Sequence, residues 1–543
     1  MNDLITRTPP AANEPVLSYS PGSPERVALE AELARLAGER FDIPLVIGGR
    51  ELRTGRTLPL ARPDDLGSDL GVWHQAGAAE ATLAVETALA VRSEWIALPW
   101  EERAAVFLRA AALVSGKYRA TLVAATMLGQ GKTVHQAEID AACEVADFLR
   151  INPGLMARVY AEQPDSGPLE WNRLSYRPLE GFVYAVSPFN FTTIAANLAT
   201  APAMMGNVVV WKPASSSILS NWYLMKILVE AGLPPGVVNF VPGRAAEVTG
   251  AVVARPEFAG LHFTGSTAVF NSLWKNVAAN LESYRAYPRL VGETGGKGFV
   301  FVDPSADPEV ALVAALRGAF EYQGQKCSAA SRLYLPASLA PAFLGRLSSE
   351  IGELAMGRVD DFSNFLSAVI DEAAFDRLSG HLERARKDPG LRVLAGGKGA
   401  RAQGWYVEPS LLLSEEPRST TMVEELFGPV LSTFVYDEKD MEGALRLVDT
   451  TSPYGLTGAV IATDRRAIVR DLDALRFSAG NLYVNDKPTG AVVGRQAFGG
   501  MRGSGTNDKA GSLLNLLRWT NAGAVKENLA PPLDWHYPHQ RRP

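Results

Sequence analysis

Gly181-Phe-Val-Tyr-Ala-Val-Ser187-Pro-Phe-Asn190-Phe191 begins as an unbroken apolar run and stops at a serine and a proline. Apolar residues at every position, rather than at every second one, suit a strand buried on both faces. The same grammar repeats downstream. Residues 192–205 carry a helical period, 207–211 read as a strand, 215–231 as a helix closed by Gly232, and 237–241 as a strand. Residues 244–254 then read as a helix, 261–263 as a strand and 267–281 as a helix, before Leu290 leads into a glycine-rich turn around Glu293. Strands separated by helices of about 10–15 residues imply βαβ units, hence an α/β protein whose parallel sheet is covered by helices on both faces. A second series of this kind starts at Phe299-Val-Phe-Val and runs to about residue 500, so the glycine-rich segment 292–298 is the natural boundary.

Ahead of residue 181 the pattern is mostly helical. Residues 1–20 are Pro-rich and irregular, and Ser23-Pro24-Glu25 opens a helix that Gly38 can close. Leu45-Val-Ile-Gly-Gly-Arg and Arg56-Thr-Leu-Pro-Leu look like the two arms of a hairpin. Ala-rich periodic segments near 78–91, 100–128 and 134–150 predict three helices. Glu170-Trp-Asn-Arg-Leu-Ser-Tyr alternates like an exposed strand.

With 53 basic and 59 acidic residues and no dense basic run, nothing points to a nucleic-acid partner. No apolar run is long enough for a membrane span. Cys143 and Cys327 lie far apart, with no metal-type or CxxC spacing, which suits a reducing compartment. Met1-Asn-Asp-Leu-Ile-Thr-Arg carries neither an apolar signal core nor the repeated arginines of a transit helix, so a cytoplasmic location is expected.

Three stretches carry chemistry. In Gln323-Gly-Gln-Lys-Cys327-Ser-Ala the thiol follows a helix opened by Asp307-Pro308-Glu309 and running to about Tyr322, and precedes the strand Arg332-Leu-Tyr-Leu. Leu290-Val-Gly-Glu293-Thr-Gly-Gly-Lys-Gly sets a carboxylate in a glycine-rich turn, and Ser187-Pro-Phe-Asn190 sets an amide after a strand. Nucleophile, general base and oxyanion donor are the matching roles. Each residue also has a plain alternative: Cys327 a small buried hydrophobe, Glu293 a solvated charge, Asn190 the N-cap of the helix that opens near Thr192. No GxGxxG follows a strand, and Gly292-Glu-Thr-Gly-Gly-Lys-Gly is one residue short of a P-loop. Phe263-Thr-Gly265-Ser266-Thr267-Ala268-Val269, at a strand-to-helix turn, is placed to hold a phosphate or simply to cap a helix.

Taken together, these stretches resemble the aldehyde dehydrogenase superfamily, which pairs a Gly-Glu-x-Gly-Gly-Lys loop with a Gly-Gln-x-Cys nucleophile and a Pro-x-Asn segment. The resemblance runs from about residue 40 to 520. It implies a Rossmann-type doubly wound NAD-binding domain from 41–156 and 181–293, and an α/β catalytic domain from 294–519. It further implies a projecting oligomerisation hairpin from 157–180 and 520–543, after an N-terminal extension of 1–40. A homodimer or higher oligomer is the expected assembly. Cys327, Glu293 and Asn190 become catalytic residues, with backbone donors, Lys326 and the nicotinamide charge as sources of thiol activation. Ser187, Lys212, the turn Gly265 to Val269, Glu425 and Phe427 become cofactor residues.

One departure bears on the cofactor: three positions after Lys212, where many NAD-preferring relatives have Glu, stands Ser215. NADP therefore fits that position too, although the resemblance favours NAD. Within the superfamily, Ser328 and Asn485-Asp-Lys-Pro-Thr489-Gly490-Ala491 resemble the branch acting on L-glutamate γ-semialdehyde, where backbone N–H groups bind the α-carboxylate. Ala491 stands where close relatives often have Ser. Phe191 and Phe498 would wall the aliphatic part of that substrate, or else pack as core. Glu144 would stand at the entrance, or else share a solvated acidic face with Asp140 and Asp147. The expected activity is NAD-dependent oxidation of this semialdehyde to glutamate in proline breakdown, with a proline dehydrogenase as the enzyme supplying substrate. An aldehyde dehydrogenase of another substrate and a non-catalytic dinucleotide-binding protein are the alternatives.

Overall fold

The computed structural model describes residues 6–540. Two seven-stranded sheets carry the fold. The first has the spatial order Arg289–Glu293, Phe258–Thr264, Phe182–Val186, Val208–Lys212, Val238–Phe240, Leu45–Ile47, Arg50–Leu52. Its first five strands are parallel. Every residue of Phe258–Thr264 and Val208–Lys212 is buried, as unbroken apolar runs require when helices cover both faces.

From Phe182–Val186 the chain steps outward to Val208–Lys212 and Val238–Phe240. It then crosses to the other side for Phe258–Thr264 and Arg289–Glu293. Strand order therefore reverses between Phe182–Val186 and Phe258–Thr264, where loops diverge and leave a crevice at the carboxyl ends. Val186 pairs with Lys212 and with Phe263, and Thr264 with Glu293. The register thus brings Ser187, Lys212, Gly265 and Glu293 to one edge.

The second sheet has the order Leu391–Ala395, Ser410–Ser414, Val430–Tyr436, Ala330–Pro336, Gly298–Val302, Thr457–Ile461, Asn481–Val484, parallel except for its first strand. The helix Pro308–Phe320 crosses between two of these strands, with the Asp307 carboxylate capping the Glu309 N–H. It ends at Phe320, short of Tyr322, because Tyr322 and Gln323 adopt left-handed φ of 52° and 53°. Apart from both sheets, Glu170–Pro178 pairs with Thr520–Asn528 in a two-stranded antiparallel ribbon that exposes Trp171 and Val525. Residues 157–161 belong to the helix Val145–Ala161, not to this ribbon.

Two expectations for the N-terminal part are corrected. Leu45–Ile47 pairs with Arg50–Leu52 across Gly48 and Gly49, both at positive φ, a turn that closes a two-residue hairpin. Thr57–Pro59 instead pairs with Gly71–His74 in a separate three-stranded sheet. The segment 100–128 is two helices, Trp100–Ser115 and Arg119–Gln130, interrupted at Gly116. Within 134–150, Glu138–Glu144 winds as a π-helix.

Candidate active site

Cys327 lies between Pro308–Phe320 and Ala330–Pro336, in a turn whose residues 321–328 are all buried. Tyr322, Gln323 and Gly324 hold consecutive left-handed φ of 52°, 53° and 63°. For non-glycine residues that costs on the order of 1–2 kcal/mol each, so the surroundings must impose it. Gln323 Nε2 donates to the Gly131 carbonyl at 2.8 Å and the Ala368 carbonyl at 2.6 Å. Gln325 Oε1 accepts from the Ile370 N–H at 2.9 Å. The glycine-rich loop passes directly against this turn. A Cβ on Gly296 would stand 2.0 Å from the Cys327 carbonyl oxygen, so only glycine permits the approach.

Asn190 is not the cap of the following helix. Phe191 holds the N-cap position of Thr192–Met204, and the Thr192 and Thr193 N–H groups donate to the Asp140 carboxylate at 2.9 and 2.8 Å. Asn190 is thereby released: its Nδ2 donates to the Gln325 carbonyl at 3.0 Å, two residues before Cys327. Glu293 ends its strand, and its Oε2 accepts from the Gly500 N–H at 2.9 Å. Burial, with the nearby Asp508 charge, pushes its carboxyl well above the usual range against the pull of the Gly500 N–H and Lys509. Burial likewise pushes the Cys327 thiol up to about 12, with Glu425 and Glu293 adding to it and the Cys327 and Ser328 N–H groups opposing. Burial disfavours the charged form of both groups.

A cavity of about 130 Å³ joins Cys327 and Glu293 to Ser328, Gly490, Ala491, Phe191, Phe498 and Glu144. Asn190 is absent from this wall and reaches the site through Gln325. Ser328 Oγ lies 2.8 Å from Thr489 Oγ1, and Gly490 takes a φ of +96°. Glu144 does not share a solvated acidic face: Glu138 and Asp140 are fully buried and Asp147 nearly so. Burial and the Asp140 charge push its carboxyl up to about 8, making it a hydrogen-bond donor at neutral pH.

The structure adds two clusters that the sequence reading missed. Lys132 is fully buried, pairs with Asp140 at 2.7 Å, and stands 4.1 Å from the Phe191 ring centre and 4.5 Å from that of Tyr322. Glu321 bridges two lysines of the cavity wall, Lys326 at 3.2 Å and Lys487 at 2.6 Å. Burial lowers Lys326 to about 8. In this cluster two lysines share one carboxylate. Lys487 is inside the Asn485-to-Ala491 stretch, but its partner stands 166 positions away.

None of the expected cofactor residues lines this cavity; Ser187, Lys212 and Gly265 stand at the carboxyl ends of neighbouring strands of the first sheet. Ser266 Oγ caps Thr267–Ala279 by accepting from the Val269 N–H at 3.3 Å, where the first N–H groups of a helix have no intrahelical partner. Gly265 donates its N–H to the Glu293 carbonyl at 3.2 Å, and a Cβ there would lie 2.7 Å from the Phe263 ring. Ser187 Oγ accepts from Trp211 Nε1 at 3.1 Å. Lys212 is buried, its Nζ donates to the Pro213 carbonyl at 3.3 Å, and burial lowers it to about 8. One acceptor for three donors leaves N–H groups for a ligand hydroxyl. Glu425 Oε1 accepts from the Gly296 N–H at 2.6 Å, and burial pushes its carboxyl up to about 7. Phe427, at φ 52°, meets Phe189 edge-on at 5.8 Å. Through Gly296, Glu425 and Cys327 thus flank one loop.

Residues 52–525 match the aldehyde dehydrogenase family. The delta-1-pyrroline-5-carboxylate dehydrogenase of Agaricus bisporus is 49% identical over 98% of this chain and 98% of its own. The mitochondrial delta-1-pyrroline-5-carboxylate dehydrogenase of Dictyostelium discoideum is 50% identical over 98% of this chain and 96% of its own. The crystal structure of the Mycobacterium tuberculosis delta-pyrroline-5-carboxylate dehydrogenase bound with NAD superposes with a TM-score of 0.96. It is 51% identical and covers 99% of this chain and 100% of its own. A family match over most of its length, with the whole fold in agreement, establishes that the chain belongs to the aldehyde dehydrogenase family.

Proposed function

We propose that the protein oxidises L-glutamate γ-semialdehyde, the open form of 1-pyrroline-5-carboxylate, to L-glutamate with NAD. The observation that carries this reading is a single cavity in which Cys327 and Glu293 share walls with Ser328, Gly490 and Ala491 and with the Lys326–Glu321–Lys487 cluster. The semialdehyde offers an aldehyde to the first pair and an α-carboxylate to the rest. Full-length relatives carrying this activity in their names support it.

Cys327 first gives up its thiol proton to water, with the Cys327 and Ser328 N–H groups favouring the thiolate, and the thiolate then adds to the aldehyde carbon. The carbon–sulfur bond forms and the carbonyl π pair moves onto oxygen. Asn190 Nδ2 and the Cys327 N–H donate to that oxyanion, and Asn190 needs only to exchange the Gln325 carbonyl for it. As the carbonyl re-forms, the aldehyde hydrogen departs with its electron pair and a thioester remains on Cys327. NAD, held by Ser187, Lys212, the 265–269 turn, Glu425 and Phe427, supplies the hydride acceptor when bound. Glu293 then takes a proton from water, whose oxygen attacks the thioester. The carbon–sulfur bond breaks and Cys327 is released as thiolate. Meanwhile Ser328 and the Gly490 and Ala491 N–H groups hold the α-carboxylate, while Phe191 and Phe498 flank the aliphatic chain. Glu144 donates a hydrogen bond at the entrance.

In the same reading, residues 41–156 and 181–293 form the NAD-binding domain and 294–519 the catalytic domain. Residues 162–180 and 520–543 serve oligomerisation, and 1–40 are an extension. The ribbon's exposed Trp171 and Val525, with the exposed Leu529 just beyond it, favour a homodimer or larger assembly. The two free cysteines suit the cytoplasm. An enzyme that oxidises proline would supply the substrate.

The test compares kcat/KM for the semialdehyde, succinate semialdehyde and propanal, each with NAD and NADP. The amino-acid semialdehyde with NAD is expected to lead. A clear preference for a substrate without the amino-acid end overturns the reading.

A further inference from the structure

The segment that carries Gly490 and Ala491 runs from the end of the strand Asn481–Val484 to Met501 without a strand or helix of its own. Its internal bonds are few. The Arg495 and Gln496 N–H groups donate to the Val492 carbonyl, and Gln496 Oε1 accepts from the Val492 N–H. A backbone of this kind holds its N–H groups in place only if something outside holds it.

Lys487 on Glu321 and Thr489 on Ser328 hold its first part, and Phe498 and Gly500 hold its last; between them, the tie for residues 493–495 comes from the far end of the chain. Asn13 Nδ2 donates to the Val493 carbonyl at 2.8 Å and to Asp147 Oδ2 at 2.8 Å, while its Oδ1 accepts from Arg495 Nε at 3.0 Å. One amide therefore joins the segment to the helix Val145–Ala161 at two points. The next residue secures the amide. The Glu14 N–H donates to Asp147 Oδ1 at 2.7 Å, and the Glu14 carboxylate pairs with Arg119 and Arg150. Asp147 is only 3% exposed, so its two oxygens depend on these donors. Further along, Tyr19 Oη donates to the buried Glu138 at 2.7 Å, and the Leu17 N–H donates to the same carboxylate. The segment also lies close to the helix, since a Cβ on Gly494 would stand 3.0 Å from Ile151 Cδ1.

We propose that Asn13 is a positioning residue for the substrate carboxylate. By fixing Val493 and Arg495 to the helix Val145–Ala161, it sets where the Gly490 and Ala491 N–H groups stand relative to Cys327. This rests on the reading of that segment as the carboxylate anchor. Asn13 is not part of the cavity lining, so its effect is expected on substrates that use the anchor.

The experiment is Asn13→Ala in the full-length protein, assayed with the semialdehyde and with propanal, alongside amide hydrogen exchange over residues 489–496. KM for the semialdehyde is expected to rise about tenfold, the scale of a lost buried hydrogen bond. The kcat/KM for propanal and the KM for NAD stay within about twofold, and exchange over 489–496 quickens. Arg495→Ala removes one of the three contacts and should move the same quantities less, which keeps the proposal testable if Asn13→Ala does not fold. Equal losses on both aldehydes would mark Asn13 as merely structural and overturn the proposal. Unchanged exchange over 489–496 overturns it whatever the substrate. Should the wild-type protein prefer propanal, the substrate reading fails, and the exchange comparison still decides whether Asn13 holds the segment.

Discussion

The turn that carries Cys327 and the turn from Gly265 to Val269 both join a helix to a strand beside the same crevice, and they are built in opposite ways. Residues 321–328 are wholly buried, run through three left-handed residues, and are held by Gly131, Ala368, Ile370 and Asn190. The other turn exposes Ser266, Ala268 and Val269 and is organised by its own serine cap. One turn is wholly buried and strained; the other is half-exposed and relaxed, capped by its own serine and tied outward by the Gly265 N–H to the Glu293 carbonyl and by Thr267 Oγ1 to the Gly503 carbonyl. A nucleophile must stand within tenths of an ångström of its target, whereas a phosphate is met by several N–H groups that share the load. Substitutions in the first turn should therefore cascade, and those in the second should stay local.

Glu293 tests the comparison most severely, because it serves both turns. Its backbone carbonyl accepts from Gly265, and its carboxylate faces the cavity of Cys327. Glu293→Gln keeps the backbone bond and removes the base. Steady-state turnover should fall by roughly 10²–10⁴-fold, the range for a lost general base, with the KM for NAD unchanged. Stopped-flow absorbance should show a burst of NADH followed by slow release. Glu293's raised ionisation also fixes the sign of the pH dependence. Burial disfavours the carboxylate, so the base form grows as pH rises. Wild-type turnover should climb with pH, and the Gln variant should lose that climb. A missing burst would place Glu293 ahead of hydride loss.

Asn190→Ala comes next. Losing one oxyanion donor typically lowers kcat about 10²–10³-fold. Here it also leaves the buried Gln325 carbonyl without its donor, so the turn itself should loosen. A fall in kcat with little change in the KM for the aldehyde would support the oxyanion role. A rise in KM alone would move Asn190 to substrate binding.

How much of this was legible in the sequence follows a division between local and distant contacts. The strands Phe182–Val186 and Val208–Lys212 are readable because their apolar runs are unbroken, and Ser23-Pro24 and Asp307-Pro308 because a cap is made within one turn. Gly265 and Ser266 were placed correctly at a strand-to-helix turn for that reason. Asn190 was open to reading as a cap because nothing nearby says that Asp140, 52 positions before Thr192, takes the cap's work. Asp140 and Asp147 suggested a solvated face because burying a carboxylate is costly unless it is paired, and the partners, Lys132 and Asn13, carry no mark of that duty. The arms near 45 and 60 were joined wrongly because Gly48–Gly49 closes a shorter hairpin, leaving Thr57–Pro59 to a strand of another sheet.

The smallest expected effect separates the two turns most directly. Ser266→Ala removes the bond to the Val269 N–H, a cap worth about 1 kcal/mol in typical helices. Ser266 and Val269 are exposed, so water takes over that donor and the rest of Thr267–Ala279 keeps its own ladder. The KM for NAD should rise by no more than about fivefold, which is what 1 kcal/mol allows, with kcat unaltered. Gln323→Ala is the counterpart in the other turn. It strands the Gly131 and Ala368 carbonyls in a site that water cannot reach, at roughly 1–3 kcal/mol for each buried group left unpaired, and it releases the left-handed residues. Thermal unfolding and kcat should both fall in Gln323→Ala and hold in Ser266→Ala. If Ser266→Ala proves as damaging as Gln323→Ala, the phosphate turn is as dependent on its surroundings as the cysteine turn, and the contrast between them fails.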